Sequence, residues 1–226
     1  MRRCSERCNK RPDLCLFDLD GTLIDPFAGI SKSILHALRA FGIQKEPDEL
    51  KKYIGPPIRD NFRDMGIAEG DIERAVGIYR EMFEREGIFD LTVYPGIAEL
   101  LKCLRDAGIV AALATLKVAS YAEDIVKRLG FSEYFAFISG GDRAGVRNTK
   151  SEIITHALDT LDPHRKMRPV MIGDREFDII GAKQTGIAHI GVTWGYGSRQ
   201  ELLDAGAALL ADTPEELWRI IHLGDS

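Results

Sequence analysis

The amino-acid sequence predicts an α/β fold in which a Rossmann-like parallel sheet forms the core and a small all-α helical cap is inserted after the first strand. Two observations predict the sheet: short apolar runs end at polar or glycine residues, and helical patterns lie between them. The runs show little apolar–polar alternation, which is typical of parallel strands covered on both faces. A third observation predicts the cap, since residues 26–92 contain helical patterns only.

The predicted core alternates strands with helices. The strands are Leu14–Phe17, Ile109–Ala114, Ala136–Ser139, Val170–Ile172 and Ala188–Val192. The helices are Ile97–Ala107, Ala119–Leu129, Lys150–Leu161 and Asp178–Thr185, and each stops close to a glycine or proline. This alternation predicts an open parallel sheet with right-handed crossovers.

The predicted cap interrupts this alternation directly after the first strand. Its helical patterns are Gly29–Phe41, Asp48–Ile54, Arg59–Met65 and Asp71–Glu86. We therefore expect a core of residues 1–25 and 93–226 and a cap of residues 26–92, with hinges at Asp25-Pro26 and at 91–96. An alternative is that these helices simply pack on one face of the sheet.

Composition excludes several classes of protein. The chain has 226 residues, 45% of them hydrophobic, and a formal net charge of −5, so neither a nucleic-acid polymer nor an anionic membrane is an expected partner. No apolar run approaches the ~20 residues that a membrane helix needs. The absence of a secretory apolar region and the use of only 4 cysteines predict a cytoplasmic protein. Cys4 and Cys8 have a loose metal-ligand spacing, but without a second ligand pair they do not predict a zinc site.

Polar side chains follow several predicted strands at the point where each strand ends. The first strand runs into Asp18 and Asp20, and Gly21 permits a tight turn there. Ligands of parallel sheets bind at the carboxyl ends of the strands, so these groups are expected to meet at one edge. The set expected at this edge comprises Asp18, Asp20, Thr115, Lys150, Asp174 and Asp178.

Such a cluster of carboxylates indicates a cation. Carboxylates this close repel one another unless a cation or protons neutralise them. Ligands that are all oxygen favour a hard ion, and sparse protein ligation suits Mg²⁺. A phosphate held by Mg²⁺ beside a carboxylate nucleophile undergoes phosphoryl transfer when its charge is neutralised, and Thr115 and Lys150 supply suitable groups.

The order and spacing of these residues resemble the haloacid dehalogenase-like hydrolase superfamily, in its phosphoglycolate phosphatase-like branch. The segment Asp18–Leu23 resembles motif I, DxDGT, and Ala114-Thr115 ends a strand as motif II does. Lys150 matches motif III, and Gly173–Asp178 matches the GDxxxD form of motif IV. The motifs lie in order, and the likeness covers nearly the whole chain.

The resemblance implies a magnesium-dependent phosphomonoester hydrolase. Asp18 would attack phosphorus and become an aspartyl phosphate, while Asp20 would protonate the leaving oxygen and then help to activate water. Thr115 would hydrogen-bond the phosphoryl group, and Lys150 would balance its charge. The implied metal residues are Asp18 and Asp174 through their side chains, Asp20 through its backbone carbonyl, and Asp178, which would orient Lys150 or a metal-bound water.

The resemblance also implies substrate contacts from the cap. The segment 53–59 resembles the cap loop that faces the active site, and its Gly55 is expected to stiffen the turn together with the two prolines that follow. Arg59 is expected to contact a substrate anion, and the alternative is a solvated arginine. Lys117 is expected to face the leaving group, although Leu116 stands where relatives often carry a small or polar residue.

The expected substrate is a small phosphorylated metabolite, either a phosphoglycolate-like acid or a 5′-nucleotide. One alternative is a sugar phosphomutase of the same superfamily. Another, from a different class, is a non-catalytic binding or regulatory protein. A receiver domain fits less well because of the helical insert after the first strand. A dehalogenase fits less well because it would not need the metal-binding carboxylates Asp174 and Asp178. A monomer is the expected state, since the cap already covers the site.

Overall fold

A parallel sheet forms the centre of the protein. The computed structural model describes residues 11–144 and 146–223, so Cys4 and Cys8 lie outside the described residues. The strands are β1 Leu14–Phe17, β2 Ile24–Asp25, β3 Thr92–Val93, β4 Val110–Val118, β5 Phe135–Gly141, β6 Pro169–Gly173, β7 Ala188–Val192 and β8 Leu210–Ala211. The main sheet has the order β5-β4-β1-β6-β7-β8, and every pairing in it is parallel. The predicted α/β class is confirmed.

The strand β1 lies in the middle of this sheet and is buried along its whole length. Its neighbours are β4 and β6, and Phe17 stands opposite Leu113 on one side and Ile172 on the other. Cys15 and Phe17 face one apolar layer, whereas Leu14 and Leu16 face the other. Burial on both faces explains why the strand is apolar throughout.

Helices cover the sheet and fill the segment after β2. They are α1 Phe27–Arg39, α2 Ile58–Asp64, α3 Ile72–Met82, α4 Ile97–Asp106, α5 Ala119–Arg128, α6 Lys150–Leu161, α7 Glu176–Thr185, α8 Arg199–Asp204 and α9 Pro214–Leu223. Short 3₁₀ turns occupy Pro47–Tyr53, Glu69–Asp71 and Ser132–Tyr134, and a π-helical turn occupies Phe83–Gly87. Among the described residues, no helix combines the length and the apolar character required to cross a membrane.

Most bounds differ from the sequence prediction by one or more residues, and two of these differences have a clear structural cause. The strand β4 continues to Val118 because its pairing with β5 resumes beyond Thr115, after an irregularity in register. The helix α7 begins at Glu176 rather than at Asp178 because the Asp178 carboxylate accepts a hydrogen bond from the Arg175 amide and caps the first turn. The elements β2, β3, β8 and α8 carry too few residues to give a clear pattern, and the helix α9, which has 10 residues, was not predicted.

The helical segment 27–87 lies between β2 and β3. These two strands pair antiparallel, with Ile24 opposite Val93, so the two ends of the segment lie side by side. Buried residues of the segment, such as Phe62, belong to the same apolar layer as Phe17 of the sheet. The division into a core of 1–25 and 93–226 and a cap of 26–92 stays a prediction.

Candidate active site

The predicted residues meet at the carboxyl ends of β1, β4 and β6. The Asp18 amide donates to the carbonyl of Ile172 at 2.9 Å, which continues the ladder between β1 and β6 by one residue. The chain then turns at Gly21, whose φ of 82° lies in the left-handed region. Thr115, still within β4, stands opposite Gly140 of β5. Asp18, Thr115 and Asp174 therefore follow from strands that are direct neighbours.

Lys150 reaches this edge from the first residue of α6. The helix starts there because Thr149 and Glu152 form a reciprocal capping box. The Lys150 ammonium lies 2.7 Å from the Oδ1 of Asp178 and 3.1 Å from the Oδ1 of Asp18, and it donates to the carbonyl of Ala114 at 2.9 Å. Burial alone lowers the pKa of Lys150, but the two carboxylates outweigh it and the pKa is raised.

Three buried carboxylates form a cluster that could hold a metal ion. Oxygens of Asp18, Asp174 and Asp178 all lie within 4.8 Å of one another. Burial, followed by the charges of Asp178 and Asp18, raises the pKa of Asp174 to about 8. Burial likewise raises the pKa of Asp178 to about 6, against the lowering effect of Lys150. A donor set made only of oxygens whose charges repel one another fits a hard divalent cation.

Within this cluster, Asp174 and Asp178 are held differently. Asp178 points one oxygen at Lys150 and accepts the Arg175 amide on the other at 3.1 Å, which suits a residue that orients the lysine. Asp174 accepts the Thr22 hydroxyl at 3.2 Å and the Tyr196 amide at 2.8 Å. These donors fix the Asp174 carboxylate while leaving it lone pairs for a cation.

Asp20 faces away from this cluster and pairs with Lys117. Its Oδ2 lies 2.7 Å from the Lys117 ammonium, which also lies 5.0 Å from the centre of the Phe83 ring. The other oxygen, Oδ1, is buried and has no hydrogen-bond partner among the described residues. Burial raises the pKa of Asp20, and Lys117 opposes that rise. The expected backbone contact of Asp20 with a metal stays a prediction.

Thr115 directly follows Ala114, whose carbonyl accepts from Lys150, and stands two residues before Lys117. It is buried, and its hydroxyl oxygen accepts a hydrogen bond from the Lys117 amide at 3.2 Å. Because a hydroxyl that accepts one bond still has a proton to donate, Thr115 retains a donor for a phosphoryl oxygen.

The expected cap residues Arg59 and Gly55 contact side chains other than the clustered carboxylates. Arg59 forms a two-pronged ion pair with Glu73 of α3, at 2.5 and 3.0 Å, and lines a cavity of about 510 Å³ together with Leu116 and Lys150. Gly55, with a φ of 104°, lies against the Arg175 side chain. The structure thus places Arg59 and Gly55 in contact with other protein groups, and their roles in substrate binding stay predictions.

Sequence reasoning did not assign a role to Tyr196 or Arg175. The Tyr196 amide donates to Asp174, and the Tyr196 phenol donates to Asp25 at the predicted hinge. Arg175 is a variable position of motif IV, yet its guanidinium contacts residues 52 and 54. The only signal for either was proximity to a motif in the chain.

Comparisons with known proteins identify the family of this chain. Residues 15–192 match the family model described as haloacid dehalogenase-like hydrolase. The chain is 41% identical over 190 residues to a protein from Pseudomonas aeruginosa named 5′-nucleotidase, covering 83% of this chain and 85% of that protein. It is 32% identical over 192 residues to a protein from Agrobacterium fabrum named phosphoglycolate phosphatase, covering 81% of each.

A solved structure supports the fold. Protein Tyrosine Kinase A (PtkA) of Mycobacterium tuberculosis superposes with a TM-score of 0.83 at 36% sequence identity, covering 94% of this chain and 99% of that chain. Together, the matches confirm the resemblance inferred from the ordered motifs.

Proposed function

The chain belongs to the haloacid dehalogenase-like hydrolase family as a phosphatase, and we propose that it hydrolyses a small phosphate monoester through an aspartyl-phosphate intermediate on Asp18. The observation that carries this proposal is the position of the Asp18 carboxylate. Its Oδ1 lies 3.1 Å from the Lys150 ammonium, and an oxygen of the same carboxylate lies within 4.8 Å of oxygens of Asp174 and Asp178. A carboxylate held in this way is suited to nucleophilic attack on a phosphoryl group.

The carboxylate cluster is proposed to hold Mg²⁺ through Asp18 and Asp174, with Asp178 orienting Lys150. Both proposed ligands are buried, and a divalent ion would offset the burial and the carboxylate repulsion that together raise the pKa of Asp174. Such an ion supplies charge neutralisation for the phosphoryl oxygens.

Asp18 is proposed as the nucleophile because one of its oxygens remains available. Within residues 11–144 and 146–223, the Leu19 amide and the Lys150 ammonium both bind Oδ1. We assign the attack on phosphorus to Oδ2: its bond to phosphorus forms as the ester bond breaks. In the second half, water attacks the same phosphorus and the bond to Asp18 breaks, which restores the carboxylate. Lys150 would balance the charge throughout.

Asp20 is proposed as the general acid and base. Its pKa is raised by burial, and its free Oδ1 can carry a proton to the leaving oxygen. In the second half, the same oxygen would take the proton from the attacking water. Lys117, paired with the other oxygen, is proposed to face the leaving group, and Thr115 to bind a phosphoryl oxygen.

The proposed substrates are small phosphate esters, either a 5′-nucleotide or a phosphoglycolate-like acid. The higher identity to the protein named 5′-nucleotidase favours the nucleotide. Arg59 lines a cavity of about 510 Å³ beside Leu116 and Lys150, but neither Asp20 nor Lys117 lines it, so this cavity does not distinguish between the two substrates. We further propose that the protein acts as a cytoplasmic monomer.

A phosphate-release screen tests this function. The wild-type protein is incubated with Mg²⁺ and adenosine 5′-monophosphate, phosphoglycolate, glucose 6-phosphate or p-nitrophenyl phosphate, and free phosphate is measured. We expect release that stops with EDTA and with Asp18→Asn but survives Asp124→Asn, a matched change on an exposed face of α5. Undiminished release by Asp18→Asn would refute the mechanism. Isomerised sugar phosphate without free phosphate would instead indicate the phosphomutase.

A further inference from the structure

We propose that Arg175 is a positioning residue that fastens the turn of residues 52–55 over the active site and thereby favours phosphate esters whose leaving group meets that turn. The effect on substrate preference rests on the proposed function, whereas the fastening of the turn by Arg175 does not. The turn leads from the 3₁₀ segment Pro47–Tyr53 towards α2. Arg175 lies between the end of β6 and the start of α7, directly after Asp174.

The guanidinium of Arg175 connects this turn to α8. Its Nη1 donates to the carbonyl of Ile54 and, at 3.5 Å, to the carbonyl of Lys52. Its Nε donates to the Oε1 of Glu201 at 2.8 Å. The side chain is only 10% exposed, so these partners replace most of its contact with water. A planar fork of donors can satisfy two partners in different directions, which a single ammonium does less well.

The turn is shaped to receive this side chain. Gly55 has a φ of 104°, and a Cβ at this position would lie 3.2 Å from the Cγ and 3.4 Å from the Nη1 of Arg175. Both the backbone conformation and the close approach therefore favour glycine. Two backbone carbonyls and a glycine of this turn all face the same guanidinium, which supports a specific contact rather than chance proximity.

Glu201 keeps the guanidinium in place from the core side. The same Oε1 that accepts from Arg175 also accepts from the Glu176 amide at 3.0 Å, so the carboxylate is tied to the start of α7. A buried arginine needs such a counter-charge, since an unpaired one is costly. Glu201 thus orients the guanidinium of Arg175, and the carbonyls of Lys52 and Ile54 are its remaining hydrogen-bond acceptors.

The backbone of Arg175 serves the catalytic cluster through its amide, whereas the charge of its side chain affects the pKa of Asp174 less than burial and the neighbouring carboxylates do. The Arg175 amide donates to Asp178, which in turn lies 2.7 Å from the Lys150 ammonium. Truncating the side chain leaves this amide in place. We therefore expect such a variant to keep the phosphoryl chemistry while losing the fastened turn.

Contacts elsewhere hold the helical segment when Arg175 is truncated. Glu84 of the π-helical turn accepts from Tyr121 and Arg143, and Arg80 donates to the carbonyl of Arg143 at 3.1 Å. These contacts do not involve Arg175 or Glu201. The expected change in an Arg175 variant is accordingly confined to the turn and its surroundings.

The kinetic test compares Arg175→Ala and Arg175→Lys with Arg105→Ala, a control whose exposed ion pair with Glu133 lies outside residues 26–92. Loss of charged hydrogen bonds to the turn predicts a fall in kcat/KM for adenosine 5′-monophosphate of about tenfold to a hundredfold in Arg175→Ala. The loss should appear mainly in KM, with p-nitrophenyl phosphate hydrolysis nearly unchanged and Arg175→Lys intermediate. Equal losses on both substrates, or no loss on either, would overturn the proposal.

Hydrogen exchange tests the same contact without turnover. In the metal-free, substrate-free protein, amides in a peptide covering residues 50–60 should exchange faster in Arg175→Ala than in wild type or Arg105→Ala, while α1 is unchanged. Unchanged exchange in 50–60 would refute the fastening role. If the wild type releases no phosphate from either substrate, the proposed function fails, and the exchange experiment still decides the role of Arg175.

Discussion

The Lys150 ammonium lies 3.1 Å from the Oδ1 of Asp18, and both side chains are buried. The same ammonium lies 2.7 Å from Asp178, which is itself held by the Arg175 amide. The proposed nucleophile is therefore oriented by a cation whose own position is fixed by a second carboxylate. Because Lys150 pairs with both buried carboxylates, its loss is expected to affect both the stability of the fold and the proposed reaction.

Lys150→Met should damage both activity and stability. The change keeps a long side chain but leaves Asp18 and Asp178 without their counter-charge in a buried site. Removing one member of a buried ion pair typically costs about 3–5 kcal/mol. We also expect phosphate release to fall by about a hundredfold or more, as when a fixed electrostatic group is removed from an active site.

Lys127→Met provides the control for this change, since Lys127 is exposed on the last turn of α5. Urea unfolding and phosphate release measured on both variants separate the two effects. Wild-type stability and activity in Lys150→Met would contradict the assigned role of Lys150.

Metal binding should weaken as the pH falls below about 8. The metal-free Asp174 has a pKa of about 8, so at lower pH a cation competes with a proton there. The raised pKa also means that the stability contribution of Asp174 is fully present below its unfolded value of 3.8 and is lost as the pH rises towards 8. Mg²⁺ should therefore raise the melting temperature more at pH 8 than at pH 6.

Thermal unfolding with Mg²⁺ or EDTA at the two pH values checks this expectation. Asp174→Asn serves as the comparison, because an amide cannot titrate and should reduce the pH dependence of the metal effect. An equal or larger stabilisation by Mg²⁺ at pH 6 in the wild type would contradict the assignment of Asp174 as a ligand.

Gly21→Ala should remove metal-dependent activity. A Cβ on Gly21 would lie 2.2 Å from the Oδ2 of Asp174, so that carboxylate must move away from the cluster. Gly42→Ala is the matched control: its φ of 71° imposes a similar backbone strain, but no atom lies within 4 Å of the added methyl group. Isothermal titration with Mg²⁺ should show weakened binding in Gly21→Ala alone, and equal binding in both variants would refute the close packing around Asp174.

Lys117→Met should move the pH–rate profile to higher pH. Burial raises the pKa of Asp20 and Lys117 opposes that rise, so removing the ammonium raises the pKa further. Since the proposed general acid must be protonated, the alkaline limb of kcat for an alkyl phosphate should shift upwards. Lys102→Met, on an exposed position of α4, is the control. A shift to lower pH would argue against Asp20 as the acid.

The sequence predicted where the candidate active site lies because parallel strands bring the residues at their carboxyl ends to one edge of the sheet. Asp18 and Asp174 follow β1 and β6, and Thr115 lies within β4, which is the other neighbour of β1 in the sheet. Lys150 was expected at this edge from its match to motif III, and the structure places it there at the start of α6. These features depend on local patterns and general topology, which a single sequence contains.

The remaining contacts depend on distances between segments that no local pattern encodes. Arg59 meets Glu73 because α2 packs on α3 in a particular register, and periodicity does not specify that register. Arg175 and Tyr196 act through the approach of loops distant in the chain, so neither could be assigned from its neighbours.

Acid quenching during turnover tests the central claim most directly. The protein is mixed with Mg²⁺ and an aryl phosphate labelled with ³²P, stopped in acid within the first turnover, digested and mapped; Asp20→Asn, expected to slow the second half of the reaction, is analysed in parallel. The account predicts hydroxylamine-labile label on the peptide that contains Asp18, and none in Asp18→Asn. Label on a different residue, or phosphate release that persists in Asp18→Asn, would contradict it.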